Sequence, residues 1–397
     1  MHVLIMQRPG SAARYDHWIK AAAPQTRITL LTSADTDRPV DDLAAGVRRV
    51  VVDDYGSPAT TAELLRLCAA DRPDRIFVNS EDDVLRAAEA RTLFGIPGID
   101  SATALRFRDK VAMKDLFDGL PVPAVPHREV RCCADLYAAQ EELGTIVVKP
   151  RDGAGSAGVR ILSDGPAVRQ ACLDDPGLLT ALHGGGLMAE RYIESTVHHV
   201  DVLVDGGTAL LVSPSRYLSA PHRFRTDNLA SVMLDGGSPR AKLLTDTAER
   251  FVAGLPEGHG VHVLHMEFLE DASGAFFAGE VACRTGGALI KNAVRHTYGV
   301  DLSRAACLLS VGLRTEPAEP GRGAAPTGWL LWTGGPRPRV PAHRPDWLVE
   351  FSAPQHPQHP ERQDAPVDAV DGKARFLVEG VDEEELEHRL GALCRRG

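Results

Sequence analysis

Apolar positions come in short bursts over the first hundred residues. Val3 to Met6, Arg27 to Thr32, Val47 to Asp53 and Arg75 to Asn79 are compact runs of the kind that buried strands use. Between them the period lengthens. Ser57-Pro58 offers a helix cap with proline in the first turn, Leu64, Leu65 and Cys68 supply an apolar stripe, and Pro73 closes the segment. Glu81 to Phe94 reads as another helix, stopped by Gly95. Strands alternating with helices at this spacing predict a doubly wound parallel sheet. Ligands of such sheets sit at the carboxyl ends of strands, where Arg8 and Asn79-Ser80-Glu81 fall.

The texture changes at Asp109. Asp109 to Asp118 reads as a helix ended by Gly119, and Pro121-Val122-Pro123 is a stiff link. Thr145 to Lys149 is a β-branched run, Arg151 to Gly158 is glycine-rich, and Val159 to Leu162 is apolar again. Leu187 to Ile193, Val200 to Asp205 and Ala209 to Ser213 are further strand candidates, the last two joined by Gly206-Gly207, which is an antiparallel pattern. Beyond Leu313 come proline and glycine runs, then a charged helix from Glu383 to Cys394. The reading is α/β plus α+β in four units: an N-terminal α/β domain (1–107), a small subdomain with the glycine loop (108–188), a central domain (189–313) and a small C-terminal lobe (314–397).

Composition narrows the class. The chain has 397 residues, 44% apolar and 25% charged, which fits a folded multidomain protein and excludes a disordered or fibrous one. Its net charge of −10 gives no global pull towards nucleic acid or anionic lipid. No apolar run approaches the roughly 18 residues needed to span a bilayer. The start carries no basic leader followed by an apolar stretch. Seven cysteines without a C-x-x-C spacing argue against a structural zinc site or a disulfide framework and suit a reducing compartment, so a cytoplasmic protein is expected.

Gly153-Ala154-Gly155-Ser156-Ala157-Gly158 matches G-x-G-x-x-G. A dinucleotide fingerprint needs a strand before that loop and a helix after it, and Asp174 and Asp175 do lie about 20 residues on. Directly after the loop, however, stands Val159-Arg160-Ile161-Leu162, which favours a strand. Strand, glycine loop, strand makes a flap whose amides can fold over a triphosphate, with Lys149 directing a cation at the same phosphates. No Walker sequence occurs.

Two carboxylates form a second constellation. Val261 to Glu270 and Ala275 to Arg284 read as a hairpin around Asp271-Ala272-Ser273-Gly274. With that four-residue loop, Glu267 lies opposite Ala278 and Glu280 is its diagonal neighbour on the same face, together with Ala282 and Arg284. Carboxylates this close repel unless a cation lies between them, and magnesium, which binds through one or two carboxylates plus phosphates, is a natural partner. A surface cluster neutralised by Arg284 is the alternative. Gly286-Gly287 just beyond would let a substrate approach the backbone.

In order and spacing these pieces resemble the ATP-grasp superfamily of carboxylate–amine ligases. Asp109-Lys110 with Lys114, Val147-Val148-Lys149-Pro150 and the glycine loop resemble the lid. Glu190-Arg191-Tyr192-Ile193 resembles the adenine hinge. Glu267-Phe268 and Glu280-Val281-Ala282-Cys283-Arg284, with Gly286-Gly287, resemble the metal-binding core. The resemblance implies a two-lobed ATP-grasp fold over roughly residues 75 to 310. Lys110 and Lys149 would hold phosphates, with Gly155 and Ser156 in the loop that closes over them. Backbone groups of Glu190 and Arg191, with the Ile193 side chain, would frame the adenine. Glu267 and Glu280 would hold two magnesium ions, which manganese can replace, and Arg284 would steady the acyl phosphate or the oxyanion. The family often carries asparagine at the position of Ala282, a potential third ligand, and an acid at that of Val197. His198 falls where biotin-carboxylase-like members carry a histidine and is assigned to the ribose.

The implied reaction activates a carboxylate with ATP and couples it to an amine, with amino acids as the expected substrates; both partners are small molecules, and a homodimer stays open. Arginines at 216, 223 and 225 crowd the segment from Ser213 to Ser238, and Arg216 or Arg225 can grip a substrate carboxylate with two parallel hydrogen bonds. Three other readings stay open: bicarbonate-dependent carboxylation, suggested by His198; a non-catalytic ATP-binding protein; and a dehydrogenase, which requires a helix after Gly158. His198-His199 on a strand point to opposite faces and make no transition-metal site.

Overall fold

The computed structural model describes residues 1–397 except 12, 37, 154–157, 222–226, 316–324, 333–337, 339–342, 353–373 and 395–397. Four parallel strands, β1 (His2–Met6), β2 (Arg27–Ser33), β3 (Val47–Val52) and β4 (Arg75–Phe77), pair in the order β3-β2-β1-β4. Helices α1 (Tyr15–Ala22), α2 (Pro58–Ala70), α3 (Asp83–Phe94) and α4 (Ser101–Arg108) accompany them. Ser57 caps α2, accepting from the Ala59 N–H, with Pro58 in its first turn. Gly95 ends α3 in the left-handed conformation, at φ 62°. The strand order reverses between β1 and β4, so the loop after Phe77 opens at a topological switch point and faces the rest of the molecule.

Asp109 accepts from the N–H groups of Val111 and Ala112 and starts α5 (Lys110–Lys114), whose last turn tightens to 3₁₀ over Asp115–Phe117. The lid comes next. Its sheet, β5 (His127–Val130), β6 (Ile146–Pro150), β7 (Arg160–Leu162) and β8 (Leu187–Arg191), is antiparallel in the order β5-β8-β6-β7. Helices α6 (Cys133–Leu143), α7 (Gly165–Asp174) and α8 (Pro176–His183) cover it, with Leu136 of α6 and Leu182 of α8 in one buried cluster with the strand residues Ile146 and Val148. A strand directly after the glycine loop removes the dehydrogenase reading, which needs a helix there.

The central sheet has eight strands in the order β13-β12-β9-β10-β11-β14-β16-β15. They are β9 (Ser195–Asp205), β10 (Thr208–Tyr217), β11 (Leu229–Met233), β12 (Val263–Asp271), β13 (Phe276–Ala282), β14 (Thr327–Trp332), β15 (Leu348–Ser352) and β16 (Ala374–Glu379). The last three belong to the C-terminal segment and continue the central sheet, with α12 (Glu383–Cys394) packed on them through Leu386 and Leu390. Helix α9 (Pro239–Ala253) covers one face, and α10 (Ile290–Tyr298) and α11 (Leu302–Ser310) cover the other. On the α9 face Phe117 packs against Phe251 (tilted, centroids 5.6 Å apart) and edge-to-face against Phe268 (6.4 Å), a contact layer worth several kcal/mol of buried area (about 25 cal/mol per Å²). Among the described residues, no helix is long and apolar enough to cross a membrane.

Candidate active site

The hairpin β12–β13 supplies the two acids. Its register differs from the simple count. Glu270 pairs with Phe276, Phe268 with Ala278, and a bulge then brings Glu267 directly opposite Glu280 rather than diagonal to it. Gly279 is the extra residue. A Cβ there would meet the Glu267 carbonyl oxygen at 3.2 Å, which is why glycine suits the bulge. The two carboxylates remain 31% and 37% exposed while their neighbours are buried, so both keep access to solvent.

Helix α5 and the lid bring the cations. Lys149, near the end of β6, places its Nζ 2.6 Å from Glu190 Oε1 and 3.0 Å from Glu280 Oε1. Lys110 Nζ donates to the Gly153 carbonyl at 2.5 Å and lies 3.9 Å from Glu280 Oε2. Lys114, fully buried, reaches Glu190 Oε2 at 3.1 Å and donates to the Gly279 carbonyl at 2.6 Å, tying α5 to the bulge. Burial pushes the Glu280 carboxyl up, but Lys149 and Lys110 outweigh it and hold the group at about 2. Burial likewise opposes the charge on Lys149, and Glu190 and Glu280 overcome it, raising the ammonium above its ordinary value. Lys114 moves the other way, because its burial outweighs Glu190.

Arg284 enters from the loop after β13 and is held by the first domain. Its Nε donates to Glu81 Oε2 at 2.6 Å, and Arg108 donates to Glu81 Oε1 at 2.5 Å. Asn79 Nδ2 donates to Thr285 Oγ1 at 3.1 Å, locking the two domains beside that arginine. The strand-end position of Asn79 and Glu81 was legible in the sequence; their partnership with residues more than two hundred positions later was not.

A polar chain lies behind Glu267 on the same sheet face. His265 Nε2 is 3.5 Å from Glu267 Oε1, and its Nδ1 is 3.0 Å from Asp201 Oδ1. Asp201 Oδ2 is 2.7 Å from His199 Nδ1, and His199 Nε2 is 2.9 Å from Ser231 Oγ. Burial lowers the His265 imidazole, but Asp201 and then Glu267 lift it to about 9. The alternation that put Glu267 and Glu280 on one face also puts His265 there, so this group was within reach of the sequence.

Other expected site residues fall elsewhere. His198 is on the opposite face of β9, fully buried, with Nε2 2.8 Å from Glu270 Oε2 and its ring against Phe276. It cannot touch a nucleotide bound at Glu267 and Glu280, so the ribose assignment is wrong: successive strand residues face opposite sides. Burial, outweighing Glu270, pushes its imidazole down to about 4. Arg216 pairs with His198 across β9–β10, faces that same side, and is taken by Glu383 (3.2 Å) and Glu387 of α12. It braces the C-terminal helix and does not face the acids. Gly286 is not open to a substrate, because a Cβ there would meet Asp201 Oδ1 at 2.7 Å and His265 Nδ1 at 2.9 Å; Gly287 beside it is exposed, with nothing within 4 Å. Glu190 contributes its buried side chain, and β8 is paired on both edges there. The N–H groups of Arg191 and Tyr192 are used by the Pro126 and Thr145 carbonyls, and half-buried Ile193 lies in the link to β9. Gly155, Ser156, His222, Arg223 and Arg225 lie outside the described residues.

No protein-family model matches the chain. It is 29% identical over 244 residues to an L-arginine-specific L-amino acid ligase of Bacillus subtilis, covering 60% of this chain and 58% of that one. It is 28% identical over 284 residues to human carnosine synthase 1, covering 66% of this chain and 33% of that one. The chain therefore spans between a third and three fifths of the length of these curated relatives. Among solved structures, an L-amino acid ligase from Bacillus licheniformis superposes with a TM-score of 0.68 at 16% identity, covering 99% of this chain and 96% of that one. The biotin carboxylase domain of a Hydrogenobacter thermophilus 2-oxoglutarate carboxylase, solved with ADP, magnesium and bicarbonate, gives 0.71 at 16% identity, covering 99% and 89%. These structural likenesses show that the chain has the ATP-grasp fold, with the four-stranded sheet, the carboxylate hairpin and the lysines between them in place.

Proposed function

We propose that this protein is an ATP-dependent ligase that activates a carboxylate as its acyl phosphate and joins it to an amine, with amino acids as substrates and ADP and phosphate as by-products. The observation that carries the reading is the meeting of three parts of the chain at one point. Lys149 and Lys110 come from the lid side, Glu267 and Glu280 from the central hairpin, and Arg284 is aimed by Glu81 of the first domain. A sequence relative named as an L-amino acid ligase, and a structural neighbour with the same name, support the substrate class.

A carboxylate oxygen leaves poorly, and phosphorylation converts it to a good leaving group. The protein's part in this is alignment and charge neutralisation. Two partly exposed carboxylates flanked by ammonium groups are hard oxygen donors suited to magnesium, and manganese fits the same set. Glu267 and Glu280 would hold the metal, which when bound offsets phosphate charge. Ala282 offers no donor atom, so these two side chains would be the hairpin's contribution, whether one ion binds or two. Lys149 and Lys110 would orient the phosphates. Arg284 would stabilise the oxyanion formed as the amine attacks and the acyl–phosphate bond breaks. The lid, glycine loop included, would exclude water, which otherwise hydrolyses the acyl phosphate.

Purified protein with ATP, magnesium and paired amino acids tests this, reading ADP release together with the product mass. The expected result is ADP formation dependent on both a carboxylate and an amine, with a product lighter than their sum by one water. ADP formation requiring bicarbonate, or none with any pair, contradicts it.

A further inference from the structure

The chain Glu267–His265–Asp201–His199–Ser231 is a continuous polar path across the buried part of the sheet. Its inner members are closed to solvent: His199 and Asp201 are 1% exposed and His265 is 6% exposed. Asp201 spends one oxygen on each histidine, at 3.0 and 2.7 Å, and each histidine uses its other ring nitrogen, on Glu267 and on Ser231. The Asp201 carboxylate fixes both rings, because a ring nitrogen facing it must carry its proton. The Tyr217 ring lies 4.7 Å from the His199 ring and closes its side, and Gly286 leaves no atom between the backbone and the Asp201–His265 contact.

His199, Asp201 and His265 also have the composition and closeness of a metal-binding triad. Their contacts favour the other use. Three hydrogen bonds and one ion-pair contact at 3.5 Å already engage the four ring nitrogens and both Asp201 oxygens, and the row ends on a carboxylate that faces the site.

We infer that this row is a positioning device for Glu267: Asp201 orients His265, and His265 holds one oxygen of Glu267 so that the other is presented in a fixed direction to the magnesium ion. The inference rests on the reading of Glu267 as a metal ligand. A free glutamate side chain on a sheet has three rotatable bonds, and locking it before the cation arrives removes an ordering cost from binding. Glu280 is locked differently, by Lys149 and Lys110, so the two acids are held from opposite sides, one by a buried imidazole row and the other by lysines of the lid and α5.

The test measures manganese binding by electron paramagnetic resonance on the full chain with a non-hydrolysable ATP analogue, and analogue binding alone in excess chelator. Loss of a hydrogen-bonding group behind a metal ligand weakens metal binding about 10- to 100-fold. Asp201→Asn and His265→Gln should show that loss while the metal-free nucleotide affinity stays within about twofold. Ser231→Ala, at the far end of the row, should show a smaller loss in the same direction, and it serves where Asp201→Asn does not fold. Glu267→Gln separates the two readings. If it loses manganese while folded Asp201→Asn and Ser231→Ala bind it as the wild type does, Glu267 stands as a ligand and the positioning row falls. If Glu267→Gln binds manganese normally, the metal site falls and takes the row with it. A stoichiometric zinc ion retained after dialysis, and absent from Asp201→Asn, would also overturn the inference in favour of a metal triad.

Discussion

The two faces of the β9–β12–β13 ladder are built from alternate residues of the same three strands, and they differ in almost every respect. One face carries Val200, Val202, Phe268 and His198 against α9, with His198 neutral and tied to Glu270. The other carries His199, Asp201, His265, Glu267 and Glu280, charged and linked in series. The histidine on the apolar face is pushed down to about 4, and His265 on the polar face is lifted to about 9. Adjacency in sequence therefore says little about adjacency in chemistry within a strand, where one step changes the whole environment.

The largest expected effect lies on the polar face. Glu280→Gln removes a charge that faces both Lys149 and Lys110 and should lower turnover at least about 100-fold with little change in melting temperature. Steady-state ADP release and thermal denaturation check it, and near-normal turnover would take Glu280 out of the chemistry. The reverse pattern is expected across the sheet. Phe268→Ala empties a fully buried site between Phe117 and the sheet and should cost about 3–5 kcal/mol of stability, with manganese affinity unchanged in the protein that remains folded. Denaturant titration measures the first quantity. A large loss of metal affinity there would show that the faces are not independent.

The smallest effect is in pH. His198 has its folded value lowered, so the unfolded chain takes up its proton first as pH falls. Its contribution to stability is complete above about 6.5 and is lost on acidification towards about 4, with a slope of at most about 1.4 kcal/mol per pH unit. His265 has its folded value raised, so its contribution is complete below about 6.5 and is lost as pH rises towards about 9. Replacing His198 with leucine should flatten the acid limb of the metal-free protein's stability profile and leave the alkaline limb unchanged. Flattening of the alkaline limb instead would contradict the assignment of these two groups.

Much of the frame was legible. Compact apolar runs marked β1 to β4, Ser57-Pro58 marked the start of α2, and the β-branched residues after Gly158 marked a strand where a dinucleotide site requires a helix. The acids Glu267 and Glu280 were legible as a pair because a hairpin with a clear turn fixes which residues share a face. Their direct opposition was not, because Asp271 pairs with Ala275 and shortens the loop by one residue, and the bulge at Gly279 then shifts the register by one more. Arg216 was read as a substrate grip because its partners, Glu383 and Glu387, sit on a helix far along the chain. The buried charge on Glu190 was hidden for the same reason: Lys114 and Lys149 are local in space only after the lid has folded. Long-range ion pairs decide which polar residues are site and which are scaffold, and no local pattern encodes them.

The acyl phosphate is the step on which the proposed chemistry turns, and oxygen-18 transfer reports it directly. A substrate amino acid labelled in its carboxylate is turned over with ATP, magnesium and the amine partner, and the released phosphate is examined by mass spectrometry. Transfer of one labelled oxygen from the carboxylate to phosphate is the predicted result. Product formation with phosphate free of label would contradict it.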